Sequence, residues 1–196
     1  MTRTLQVAAW SYAVACAIAW AIALRAAPAP APAPHLAGAA AAPVANTAEA
    51  WFTAIKPFCN PVEVEVRLRN NAAPANVAGA GYTAACYALA GRIEQARTVL
   101  NGVRRDDRLQ AVAIVFDVAH PVADAGDDRA AGPIMQMVVD YWPNHYMALY
   151  HAGMSEYILH QPDLARQHLR SFLKYYESDD GWRRNALEVL DRLGGR

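Results

Sequence analysis

The sequence predicts an all-α protein: stacked helix–turn–helix units closed by a C-terminal capping helix, preceded by one N-terminal transmembrane helix and a Pro/Ala linker. Three observations predict it. Residues 5–24 carry no charge, residues 28–34 alternate Pro with Ala, and small residues recur downstream at Ala96, Ala131 and Ala165. Each of those alanines is followed four and seven places later by a bulky residue: Leu100 and Val103, Met135 and Val138, Leu169 and Phe172. Spacing of that kind keeps three side chains on one helix face, and its recurrence every 34 or 35 residues marks an internal repeat. The implied divisions are a signal-anchor helix at 1–25, an extended linker at 26–45 and a helical domain at 46–196. Within the domain, units fall at about 43–76, 77–111, 112–145 and 146–179, with a cap at 180–193.

The first segment has membrane dimensions. Residues 5–24 are twenty residues without a charge, bracketed by Arg3 and Arg25, and a helix of that length spans roughly 30 Å, the thickness of a bilayer core. Ala9, Ala13, Ala17 and Ala21 form a ridge of small residues at i+4 spacing, which lets two helix backbones approach closely in lipid. The span is therefore expected to pack on another span. The alternative is a cleaved signal peptide, since Ala19-Trp20-Ala21 and Ala21-Ile22-Ala23 both satisfy a small-x-small rule. An N-terminal anchor with such a spacer places the bulk of the chain outside the cytoplasm. The linker that follows cannot be helical where Pro alternates, and extended polyproline II gives it reach at about 3.1 Å per residue.

Charge narrows the partners. The chain of 196 residues has 18 basic and 18 acidic side chains, and beyond Arg25 the balance is 16 to 18. That argues against nucleic acid, which selects a basic excess or a basic face.

The second half carries the fullest repeat: a break at Pro143, then Leu149, Ala152-Gly153, Tyr157, Ala165, Leu169 and Phe172. It resembles the tetratricopeptide repeat, although Glu156 occupies the usual aromatic slot and Tyr157 follows it. Ala84, Tyr87 and Gly91 fill the corresponding slots around Ala96, and Val62, Val66 and Pro74 fall in the same frame as a degenerate further unit. The resemblance covers about residues 43–179 and implies an α-solenoid of the kind found in membrane-anchored bacterial proteins of this family. Gly181 to Leu193 then reads as the terminal helix that covers the last apolar face, with Trp182, Ala186, Leu187 and Leu190 inward.

Residues 62–69 alternate perfectly between apolar and charged, which is the strand period. Helix signals oppose it: Asn60 as N-cap, Pro61 at the first helical position, and Glu63–Arg67 and Glu65–Arg69 at i,i+4. Helix is the expectation.

Catalytic apparatus is absent from the motifs: no Gly-x-Ser-x-Gly, Gly-rich phosphate loop, His-Glu-x-x-His or Cys-x-x-Cys occurs. No cofactor, no metal and no enzymatic activity is expected. Cys59 and Cys86 fall in neighbouring units and are candidates for a disulfide if the domain is extracytoplasmic; otherwise they are two buried thiols. His120, Asp124, Asp127 and Asp128 lie within nine residues, and His120 with Asp124 at i,i+4 offers a metal-dependent alternative. The preferred reading puts them in a solvated turn. His145, His151, His160 and His168 read as surface or groove residues.

Family geometry implies a groove lined by Tyr82, Phe116, Asp117, His120, Met147, Tyr150, His151 and Met154. Aromatic and Met side chains suit an apolar peptide or a partner helix. The function expected is that of a non-catalytic scaffold or accessory subunit in an inner-membrane assembly, photosynthetic, respiratory, secretory or envelope-building, contacting other subunits through span and groove. A free periplasmic adaptor is the rival.

Overall fold

The computed structural model describes residues 47–194, which are all-helical with no strand among them. The expected span at 1–25, its ridge of Ala9, Ala13, Ala17 and Ala21, and the linker at 26–45 lie outside the described residues. No helix among the described residues is long and apolar enough to cross a membrane.

Helix α1 (Ala48–Ile55) starts where the Thr47 side chain accepts from the Ala50 N–H, and it runs into a 3-10 turn at Lys56–Phe58. Helix α2 (Val64–Asn70) is the alternating stretch. Asn60 decides its conformation: Oδ1 accepts from the Val62 and Glu63 N–H groups at 3.1 Å each, and Nδ2 donates to Glu63 Oε2 at 3.0 Å. These bonds close the turn at 61–63 that leads into α2, so the expected cap at Asn60 with Pro61 at the first helical position is corrected: the helix proper starts at Val64, with Glu63 at its N-cap and no side-chain bond there. A strand would set Val62, Val64 and Val66 on one face. The helix instead buries Val64 fully and leaves Val62 86% and Val66 56% exposed. The frame that made Val62 and Val66 inward residues of a degenerate unit is therefore corrected: Val64 is the inward one. Glu63 meets Arg67 at 3.7 Å, whereas Glu65 accepts from the Tyr87 hydroxyl.

Three further helix pairs follow: α3 (Val77–Leu89) with α4 (Ile93–Gly102), α5 (Arg108–Asp124) with α6 (Asp128–Tyr141), and α7 (Tyr146–Ile158) with α8 (Pro162–Tyr175). Each pair turns in the same way. The carbonyls of Tyr87, Val122 and Glu156 accept from the N–H groups of Arg92, Asp127 and Gln161. The residue before each donor has positive φ: Gly91 at 70°, Gly126 at 79° and His160 at 60°. Left-handed closure of this type satisfies carbonyls orphaned at a helix end. The second helix of each pair then presents Ala96, Ala131 and Ala165, with Leu100, Met135 and Leu169 one turn on, all fully buried.

Small residues are needed because backbones come close. A Cβ on Gly153 of α7 would stand 2.7 Å from Leu169 Cγ and 3.2 Å from the Leu169 backbone nitrogen of α8. A Cβ on Gly81 of α3 would stand 3.0 Å from the Ala111 carbonyl oxygen of α5. Helix α3 thus packs on both α4 and α5, α6 on α5 and α7, and α7 on α6 and α8. Cys59 and Cys86 are joined as a disulfide with Sγ–Sγ 2.02 Å, tying the segment after α1 to α3.

Helix α9 (Gly181–Arg192) begins at Asp180, whose side chain accepts from the Trp182 and Arg183 N–H groups, and lies on α7 and α8. Its buried face is Ala186, Val189 and Leu190. Leu187 is 48% exposed, so one of the four residues expected inward is not, whereas Trp182, 39% exposed, still lays its ring against Tyr150 and His151 of α7. Ala186, Val189 and Leu190 share one face by i,i+3 and i,i+4 spacing, and Leu187 is turned about 100° away from Ala186.

Candidate functional site

The residues expected to line one groove separate into two places. Tyr82 stands at the α1–α3–α5 junction, its ring stacked on Phe52 with centroids 4.8 Å apart. The two rings and Ile114, Val118 and Asp117 surround a cavity of about 390 Å³, with Glu49 and Lys56 at its edge. Burial, Glu49 and Asp117 together raise the Tyr82 phenol above its ordinary pKa, so it enters the cavity as a neutral donor.

Around α7 the surface is closed. Tyr150 and His151 are each only 5% exposed, which corrects their placement on an open groove. Helix α9 covers them: Asn185 Nδ2 donates to the Tyr150 hydroxyl at 2.6 Å, and Trp182 sits edge-on to Tyr150 and His151 at 4.9 and 5.8 Å. Tyr150 also meets Phe172 at 5.1 Å. Met147 and Met154 are half-buried against this core. Phe116 is buried between His120, stacked at 4.8 Å, and His145 at 4.1 Å. His145 is the N-cap of α7, its Nδ1 accepting from the Ala148 N–H. That bond requires a bare Nδ1, and burial lowers the pKa of the ring accordingly.

The acidic turn after α5 also divides. Asp127 caps α6 by accepting from the Ala130 N–H, and Asp128 accepts from the Ser155 hydroxyl. His120 and Asp124 instead face His151 from α7. Asp124 Oδ1 lies 3.6 Å from Nε2 of both His120 and His151, and the three donor atoms fall within 4.8 Å of one another. Both Nε2 atoms are shielded from solvent and neither has a hydrogen-bond partner. Burial, with the nearby His120, lowers the His151 pKa to about 4 against the pull of Asp124. Its imidazole is neutral at pH 7, with one ring nitrogen carrying a lone pair. The expectation of a solvated turn thus holds for Asp127, which is exposed, but not for Asp128, which is half-buried against Ser155, nor for the His120 ring, which is packed between Phe116 and His151.

One polar pair escaped sequence reasoning. His168 of α8 is buried with Glu156 of α7, Nδ1 lying 2.7 Å from Oε2 and 3.0 Å from Oε1. His168 is therefore neither a surface nor a groove residue. The signal available was Glu156 itself, a charged residue in a slot that the repeat pattern fills with an aromatic ring.

Comparison with known protein families, with characterised proteins and with solved structures finds no match to this chain.

Proposed function

We propose that the chain is a non-catalytic docking subunit: a tetratricopeptide-like stack of helix pairs, anchored by its N-terminal helix and holding a partner of an inner-membrane assembly on the soluble side. The observation that carries this reading is the recurrence of one turn and one crossing. The left-handed residues at 91, 126 and 160 and the buried alanines at 96, 131 and 165 keep the same 35- and 34-residue intervals. Repeat proteins bind along the face formed by the first helices of their pairs; here α9 covers that face at α7, which leaves the stretch beside Tyr82, Ile114 and Asp117 open. The cavity beside Tyr82 and Phe52 supplies the apolar floor, and Glu49, Lys56 and Asp117 supply a mixed rim, the lining expected for a partner helix or apolar peptide. The Cys59–Cys86 bond supports placement in an oxidising compartment. Two linked contacts, membrane helix and stack, hold a partner through effective concentration without either being tight alone.

The test is purification of the full chain from its native membrane in mild detergent. A stoichiometric companion is expected, retained by the native protein and lost by Tyr82→Ser, with the α-helical spectrum unchanged. Migration as a 21 kDa monomer in every mild detergent, or an N-terminus beginning after Ala21 or Ala23, would overturn the anchored-subunit reading.

A further inference from the structure

We infer that His120, Asp124 and His151 bind one divalent transition-metal ion of the zinc class, clamping α5 to α7 independently of any docking function. The donors are two imidazole nitrogens and one carboxylate oxygen, the set favoured by zinc and its first-row neighbours over magnesium or calcium, which prefer all-oxygen ligands. An ion held at 2.0–2.1 Å by tetrahedral ligands keeps its donors about 3.3 Å apart. Asp124 Oδ1 stands 3.6 Å from each Nε2. Those two separations are too long for a good hydrogen bond and a few tenths of an ångström from metal spacing; the three donor atoms together spread over up to 4.8 Å, so the side chains would draw in as the ion binds.

A second observation points the same way. The His151 side chain is 6% exposed, and its Nε2 is buried, unpartnered and directed at Asp124. The His120 Nε2 is likewise buried without a partner. Buried polar atoms are nearly always satisfied, so two that converge on one carboxylate call for a ligand or a rearrangement. The surroundings preorganise the rings. Phe116 stacks on His120, His120 meets His151 edge-on at 4.9 Å, and Trp182 of α9 backs His151. Asp124 is half-exposed and lies at the end of α5, which gives the ion an entry path and leaves its fourth position to water or to a donor from another molecule.

The experiment uses the full chain in detergent, stripped by chelator and titrated with Co²⁺ and then Zn²⁺. Wild type is expected to take one equivalent, with the imidazole nitrogen resonances of two histidines moving together and the melting temperature rising. Outer-shell changes weaken metal sites 10- to 100-fold, so loss of a direct ligand in Asp124→Asn or His120→Ala should weaken binding by at least about 100-fold. His160→Asn, at a distant turn, should bind as wild type does. Asp124→Asn alters a half-exposed side chain and tests the site even if the buried positions do not tolerate change. Absence of stoichiometric uptake by wild type would leave the three groups as a closed polar trio and overturn the inference. Undiminished uptake in Asp124→Asn and His120→Ala would do the same by placing the ion elsewhere.

Discussion

The helices up to Gly102 and those from Arg108 onward close the same kind of seam with different materials. In α3 the buried residues are Gly79, Gly81, Ala84, Ala85, Cys86 and Ala88, none larger than cysteine. In α6, α7 and α8 they include Ile134, Met135, Met137, Leu149, Tyr150 and Phe172. Burial contributes about 25 cal/mol per Å² of apolar surface. A seam of alanine and glycine therefore brings backbones close but removes little area from water. The first half adds a covalent tie between Cys59 and Cys86, which acts chiefly by restricting the unfolded chain. The second half has enough apolar area to enclose polar groups, the Glu156–His168 pair and the His151 ring among them. Close approach and burial energy are separable, and this chain separates them along its length.

Breaking each half at its own support gives the largest effects. Phe172→Ala removes a fully buried ring packed on Tyr150 and Tyr176 and should cost about 3–5 kcal/mol, read from urea denaturation. Reducing the Cys59–Cys86 bond frees a loop with a sequence separation of 27, for which the chain-entropy model gives about 3.5 kcal/mol. Hydrogen exchange should then quicken in α1 and α2 before α7 and α8; uniform acceleration would show that the two halves share one support.

Acid should find the second half next. In the metal-free protein His151 has a folded pKa of about 4, set by burial and His120 and opposed by Asp124 of α5, with Tyr150 and Trp182 completing its surroundings. The unfolded imidazole titrates near 6.5. Between those values the unfolded chain holds a proton that the folded chain does not. This contribution is therefore complete above about pH 6.5 and is lost as pH falls toward 4, on the order of 3 kcal/mol in all. His145 shifts in the same direction. Denaturation midpoints at pH 7 and 4.5 should differ more for wild type than for His151→Leu.

The smallest expected effect sharpens the reading of α2. Val62→Ser, on an 86% exposed side chain, should change stability by less than about 0.5 kcal/mol. Val64→Ser removes a fully buried side chain and should cost about 2 kcal/mol or more by calorimetry. Equal costs would mean that the two valines share a face, as a strand requires.

Much of the helical order was legible because it is local. Asn60 closes the turn that leads into what alternation alone would call a strand, and the alanines at 96, 131 and 165 mark crossings through their spacing. Leu187 and Val189 were not legible, since an amphipathic helix of twelve residues admits more than one apolar face until its neighbours are placed. The candidate metal cluster was half legible. His120 and His151 both belong to the expected groove, and His151 lies 34 residues beyond Asp117, one turn from His120. What sequence could not supply was how deeply α9 covers that surface, turning groove residues into enclosed ones. Glu156 and His168 face each other across a turn, a distance that only folding sets.

The three corners that reverse the chain look alike in hydrogen bonding but not in stereochemistry. Glycine, which has no handedness, makes two of them; at 160 an L-histidine adopts a φ of 60° that its own α-carbon resists by about 1 kcal/mol or more. A mirror-image residue installed there by chemical ligation would suit that torsion natively and would avoid the floppiness glycine brings to the unfolded chain. Position 160 is thus where inverting a single chiral centre should make the chain sturdier.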